Sequence, residues 1–215
     1  FFNMNAGTFI IKLDANGDFI WGKRFDLQYM NYYSTSILSA KNNLTVDDDL
    51  NVYITGNLRG TADFDPGPGV YNLSSTGSSN WNTDIAQVKL DSLGNLVWAV
   101  IAAGSSVDIE SASISVDENG NVFSTGLIRG GGQTDIDPGP DTVIVESGWY
   151  DDIFIEKLNE NGEIIWASAV GIHNSQHPGD DRGHDILAHQ GSVYLNGFFT
   201  GIRDFDTTQD SLILG

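Results

Sequence analysis

Apolar residues along this chain recur with a period of two, in short runs broken by turn residues. Phe9, Ile11 and Leu13 alternate with Ile10 and Lys12; Asp14-Ala15-Asn16-Gly17 then interrupts, and Phe19-Ile20-Trp21 follows. Such alternation predicts β-strands, and the connector predicts a tight hairpin in which Gly17 supplies positive φ. Asp91-Ser92-Leu93-Gly94 and Asn159-Glu160-Asn161-Gly162 interrupt similar runs. A second kind of hairpin is predicted to join Leu44-Thr45-Val46 to Val52-Tyr53-Ile54 through residues 47–51. Its counterpart joins Ile114-Ser115-Val116 to Val122-Phe123-Ser124 through Asp117-Glu118-Asn119-Gly120. No stretch carries the apolar stripe of an amphipathic helix. The pattern is all-β.

The runs also repeat. Lys12-Leu13-Asp14, Lys89-Leu90-Asp91 and Lys157-Leu158-Asn159 each precede a glycine turn and a tryptophan, at Trp21, Trp98 and Trp166. Val52-Tyr53-Ile54-Thr55-Gly56 returns as Val122-Phe123-Ser124-Thr125-Gly126 and as Val193-Tyr194-Leu195-Asn196-Gly197. Asp63-Phe64-Asp65-Pro66-Gly67-Pro68 returns as Asp135-Ile136-Asp137-Pro138-Gly139-Pro140, and in reduced form as Asp204-Phe205-Asp206-Thr207. Three markers in one order define units of roughly 70 residues, at 1–69, 70–141 and 142–210, with a fourth beginning at 211–215. Phe1-Phe2-Asn3-Met4 resembles Val70-Tyr71-Asn72-Leu73, so the chain is expected to be a piece of a longer array.

Two hairpins per unit predict one four-stranded antiparallel blade, with the segments near Val70 and Val143 available as a fifth edge strand. Three such blades, repeated about an axis, read as part of a β-propeller. Trp21, Trp98 and Trp166 are then expected to fill the layers between blades, each contributing ~2–3 kcal/mol of apolar burial. A β-solenoid fits less well, because its repeats are usually shorter and lack paired hairpin turns.

Composition sharpens the picture. Glycine, at 25 of 215 residues, exceeds the usual share, and the 29 acidic side chains divide into 23 Asp and 6 Glu. Asp favours turns and caps where Glu favours helices, so many short strands and tight turns are expected. A net charge of −19 and a pI near 4.1 repel phosphate backbones and argue against a nucleic-acid partner. The apolar run from Leu96 to Ala103 is far shorter than the ~18 residues of a membrane helix, so no membrane span is expected. Absence of cysteine removes disulfides and thiolate chemistry, and suits a large secreted bacterial domain.

Asp152-Ile153-Phe154-Ile155-Glu156-Lys157-Leu158, the Asn-Gly turn and Trp after it, Val116-Asp117-Glu118-Asn119-Gly120-Asn121-Val122 and Thr125-Gly126 resemble the bacterial SBBP-type β-propeller repeats. The resemblance spans the whole chain as three units. It implies a secreted or cell-surface bacterial protein, often large and multidomain, with no assigned catalysis and no defined functional residues. The chain departs from that pattern by its longer unit, the inserted Asp-Phe-Asp-Pro-Gly-Pro loop and Gln190-Gly191 in place of Asn-Gly.

Candidate chemistry lies in three places. Asp63 with Asp65, Asp135 with Asp137, and Asp204 with Asp206 each present two carboxylates on one side of an extended segment. These are either Ca²⁺ ligands short of the six to eight oxygens that ion takes, or caps on backbone amides of an acidic turn. His173, His177, His184 and His189 cluster with Asp180, Asp181 and Asp185, as a transition-metal site or as a solvated loop. Tyr32, Tyr33, Trp81 and Trp149, with Tyr29 and Tyr150, are aromatic candidates for stacking on sugars or anchoring a protein, or else parts of the core. No nucleophile, base and orienting partner stand at readable spacing. The expected function is therefore a non-catalytic extracellular module for protein or glycan interaction and assembly, its partners being the other blades and domains of a parent protein and a glycan or surface protein. The alternatives are a propeller-fold carbohydrate-active enzyme and a purely structural spacer.

Overall fold

The computed structural model describes residues 7–26, 43–76, 83–104, 107–137, 139–171, 179–206 and 212–214. They are all-β. In chain order the strands are β1 (Gly7–Leu13), β2 (Phe19–Asp26), β3 (Leu44–Val46), β4 (Val52–Leu58), β5 (Thr61–Asp63), β6 (Asn72–Ser74), β7 (Asp84–Leu90), β8 (Leu96–Ala102) and β9 (Asp108–Val116). They continue as β10 (Val122–Arg129), β11 (Gly132–Asp135), β12 (Ile144–Ser147), β13 (Asp152–Leu158), β14 (Ile164–Val170), β15 (Arg182–His189), β16 (Ser192–Phe198), β17 (Arg203–Asp204) and β18 (Ile213–Leu214).

Two antiparallel four-stranded sheets, β3-β4-β7-β8 and β9-β10-β13-β14, form the body, and β1-β2 and β15-β16 are two-stranded. This differs from the blade expected from sequence. Each sheet takes its first hairpin from one sequence unit and its second from the next, with β4 paired to β7 and β10 to β13. The reason lies in the insert between them. β5 and β6 pair with one another, and the Ser75 N–H donates to the Gly60 carbonyl while Ser75 Oγ accepts from the Gly60 N–H. The excursion closes on itself and returns the chain to the free edge of β4. The segments after Val70 and Val143 are accordingly not fifth edge strands but the return strands β6 and β12 of these small hairpins.

Two of the three repeated tryptophans lock successive sheets, whereas Trp166 is 39% exposed and does not fill the layer expected of it. Trp21 Nε1 donates to the Ser92 carbonyl at 3.1 Å, and Trp98 Nε1 to the Glu160 carbonyl at 3.0 Å. Each acceptor belongs to the Asp/Asn-x-x-Gly turn of the following sheet. The indoles also lie against the turn glycines: a Cβ on Gly94 would sit 3.3 Å from Trp21 Cε3, and one on Gly162 3.0 Å from Trp98 Cδ2. Ile10, Phe25 and Trp21 from β1-β2 pack on Ala86, Val88 and Leu90 of β7 in one core cluster. Trp98 joins Tyr53, Val122 and Leu158 in another. Phe64 and Ile136, the central residues of two Asp-x-Asp loops, are fully buried in the adjoining clusters.

The first strands of the sheets lie beside one another, β9 against β3 and β4, and β15 against β9 and β10. Small serines permit this approach. Ser113 Oγ and Ser115 Oγ on β9 accept the Ile186 and Ala188 N–H groups of β15, and Ser113 Oγ donates to Asp185 at 2.6 Å.

The recurrent Thr-Gly dipeptide also has a steric cause. Register slips between Thr125 and Gly126, opposite Ala112, and a Cβ at Gly126 would overlap the Glu110 carbonyl oxygen. Gly197 meets the Arg182 carbonyl in the same way. Replacing Gly126→Ala is expected to cost more than about 2 kcal/mol in equilibrium denaturant unfolding, since the obstructing atoms are backbone and cannot rotate away.

Candidate functional site

The carboxylates are held by backbone amides of their own turns. Asp14 Oδ1 accepts from the N–H groups of Asn16 and Asp18, each at 2.8 Å, and Asp91 Oδ1 does so from Leu93 and Asn95. Asp117 and Asn159 repeat the arrangement. The Asp18 N–H for Asp14, and the Asn95 N–H for Asp91, hold these carboxyls below their ordinary range.

The Asp-x-Asp loops use the same device across a wider gap. Asp63 Oδ1 accepts from the Asp65 N–H at 3.0 Å and the Tyr71 N–H at 2.8 Å, closing the loop around buried Phe64. Asp135 does so with Asp137 and Val143, and Asp204 with Asp206 and Leu212. Asp65 and Asp137 in turn accept the Gly67 and Gly139 N–H groups at 2.7 Å. A Cβ on either glycine would come within 2.9 Å or 2.8 Å of the carboxylate, which accounts for glycine after proline. Six Ca²⁺-candidate carboxylates thus stand in three separate loops, and among the described residues no three His, Cys, Asp or Glu side chains converge as a metal cluster. Lys23 and Arg24 line one cleft with Asp63 and Asp65. Those cations oppose a divalent ion there, which leaves Asp135 and Asp137 the more favourable pair.

Beside the β3–β4 and β9–β10 turns, a cleft of about 390 Å³ is lined by Asp47, Asp49, Tyr53, Lys89, Glu118, Glu160 and His189, among others. Asp47 takes hydrogen bonds from the Asn51 backbone and side chain and from the Tyr53 hydroxyl. Burial raises the Asp47 carboxyl, but these donors and the Lys89 charge prevail and hold it low. Burial, then the bond to Asp47, pushes the Tyr53 phenol well above its ordinary value. Glu118 accepts the Gln190 N–H, which lowers its carboxyl, and stands 3.8 Å from His189. His184 and His189 lie on β15; His173 and His177 fall outside the described residues.

Of the aromatic candidates, Tyr29, Tyr32, Tyr33 and Trp81 also fall outside the described residues. Trp149 is 79% exposed. One side of its indole lies on Gly131, where a Cβ would come within 2.9 Å, and Tyr150 follows it at the β12–β13 turn. Beneath that turn Asp151, itself buried, pairs with Arg129 Nε at 2.5 Å and Arg182 at 2.6 Å. This anchors the turn to β10 and β15.

Sequence reasoning missed one feature, a buried polar trio between the four-stranded sheets. Glu156 Oε1 accepts Ser124 Oγ at 2.7 Å and Gln87 Nε2 at 2.6 Å. Ser124 and Glu156 are a cross-strand pair at the positions held by Ile54 and Val88 in the neighbouring sheet, so both members of one apolar pair are replaced here by polar residues. Desolvation pushes the Glu156 carboxyl up to about 7 against its two hydrogen bonds. No known protein family matches the chain, and neither does any curated protein.

The Glu156 shift has a definite sign. The folded state keeps the proton to about pH 7, whereas the unfolded chain releases it near 4.5. The stabilisation is complete below the lower value and is lost as pH rises through the higher one. Between those limits wild type is expected to lose stability relative to Glu156→Gln, and above pH 7 the variant is expected to melt higher; parallel thermal melts across pH check this.

Proposed function

We propose that this chain is a β-propeller-type repeat module of a secreted or cell-surface bacterial protein, acting in glycan or protein interaction and assembly rather than catalysis. The observation that carries the reading is Trp149, an indole exposed on one face and backed on the other by Gly131, at a turn anchored through Asp151. A rigid flat aromatic surface stacks on a sugar ring or seats in a protein pocket at small entropic cost. The side-by-side first strands and tryptophan-on-turn contacts support a radial arrangement of sheets. The repeat resemblance, the acidity and the absence of cysteine support the extracellular setting.

A glycan array read for both retention and hydrolysis tests the reading. Retention without turnover, lost in Trp149→Ala, is the expected outcome; released sugar identifies an enzyme instead. Ca²⁺ is proposed as an accessory ligand of the Asp-x-Asp loops. Calorimetry on chelator-treated protein is expected to show Ca²⁺ binding that Asp135→Asn with Asp137→Asn weakens more than Asp204→Asn with Asp206→Asn. Absence of heat and of any thermal shift removes calcium from the reading.

A further inference from the structure

The buried polar trio stands where the repeat elsewhere puts apolar side chains. Gln87 is at the position of Ile10 and Ile155, Ser124 at that of Ile54 and Leu195, and Glu156 at that of Val88. The other two junctions between neighbouring sheets keep the apolar version: Ile10 shares a cluster with Ile54 and Val88, and Ile155 shares one with Leu195. All three polar departures therefore meet at a single junction, between β3-β4-β7-β8 and β9-β10-β13-β14. Two cross-strand pairs come together there, Thr55 with Gln87 and Ser124 with Glu156, and the side chains of Thr55, Gln87, Ser124 and Glu156 are all buried.

Hydrogen-bond accounting decides the state of the carboxyl. Glu156 Oε1 takes both donors, Gln87 Nε2 and Ser124 Oγ. Glu156 Oε2, Gln87 Oε1 and Thr55 Oγ1 have no hydrogen-bond partner among the described residues. Carboxylate and amide oxygens only accept, so an ionised Glu156 leaves two buried acceptors with at most one hydroxyl, that of Thr55, to serve them. A proton on Oε2 removes the conflict. A primary amide carries an N–H and its C=O along one edge, as a carboxylic acid carries its C=O and O–H. With Gln87 Nε2 on Oε1, the proton on Oε2 finds its acceptor in Gln87 Oε1. We infer that Glu156 and Gln87 form a two-point acid–amide pair, a proton-dependent clamp that holds these two sheets together and slackens when the proton leaves.

No neighbouring charge takes the place of that proton. Tyr53 on β4, Asp84 and Lys89 on β7, Asp108 and Glu110 on β9, and Arg129 on β10 do not perturb the Glu156 carboxyl. Neither do Asp152 and Lys157 on β13 itself, nor Arg182, His184, Asp185 and His189 on β15, and β14 has no titratable residue. Burial is the largest influence and raises the carboxyl to about 7, against the lowering effect of Ser124 and Gln87. The clamp is accordingly closed below neutrality and opens above it. The same junction seats Trp98 on the turn of Glu160 and Gly162, so slackening acts where one sheet is positioned on the next. This inference goes beyond the proposed function and requires no ligand at Trp149.

The test uses the 215-residue chain. Carbon-detected NMR is expected to show one glutamate carboxyl, absent from Glu156→Gln, that titrates near 7. The side-chain amide signals of Gln87 should move with the same midpoint. Amide hydrogen exchange then reads the clamp itself, in β7 and β13. From about pH 6 to about pH 8.5, the ratio of protection in wild type to that in Glu156→Gln should fall about tenfold, intrinsic base catalysis being common to both. Gln87→Ile with Ser124→Ile and Glu156→Val installs the apolar side chains of the neighbouring junctions. It serves as the same pH-insensitive reference, so the comparison survives a Glu156→Gln chain that does not fold. A Glu156 carboxyl already ionised at about pH 6, a Gln87 amide blind to its titration, or a protection ratio that stays constant with pH overturns the inference.

Discussion

The organisation depends on one contact, the seating of an indole from one hairpin on the glycine turn of the next. It joins a directional hydrogen bond to a carbonyl with stacking on bare backbone, and only glycine leaves room for it. Trp21 on Gly94 and Trp98 on Gly162 set the spacing and rotation between neighbouring sheets. The apolar faces follow from that placement, because Ile10 and Phe25 then meet Ala86, Val88 and Leu90. The turn consequently serves twice, reversing its own chain and receiving its neighbour.

The acidity has a local origin in this frame. Aspartate recurs where a short carboxylate reaches backbone N–H groups two, four or eight residues ahead, in the hairpin turns and in the Asp-x-Asp loops. Glutamate is too long for that geometry, which accounts for its scarcity. The reduced third loop separates the parts: Asp204 still clasps Leu212 and Asp206, although proline and glycine are gone. Closure therefore resides in the first aspartate, while the Pro-Gly turn shapes the tip.

Strands, turns and repeat were legible in the sequence because each has a local cause. Alternation marks the strands, Gly17, Gly94 and Gly162 adopt the positive φ their turns require, and the spacing of tryptophans marks the unit. The grouping of hairpins into sheets was not legible. A repeat fixes a period and leaves its phase open, and the phase was decided by a long-range pairing, β4 with β7, after an insert that looks in sequence like a boundary. Glu156 was hidden for a related reason. It sits in an apparently ordinary strand, and only the cross-strand pairing with Ser124 reveals that the two polar departures from the repeat face one another. Trp149 was visible as an aromatic, but its support by Gly131 is a contact between the segments that enter and leave the β11-β12 hairpin and needs coordinates.

The clasp between Gly60 and Ser75 has a consequence for how such a protein varies. Because the excursion from β4 starts and finishes at one point, its exposed tip, beyond the buried Phe64, is mechanically decoupled from the sheet that carries it. Residues can be gained, lost or exchanged at the tip without moving a ladder bond in β4 or β7. Variation is thereby channelled outward to the periphery, and a lineage built on this frame can diversify its outer surface while its interior stays constant.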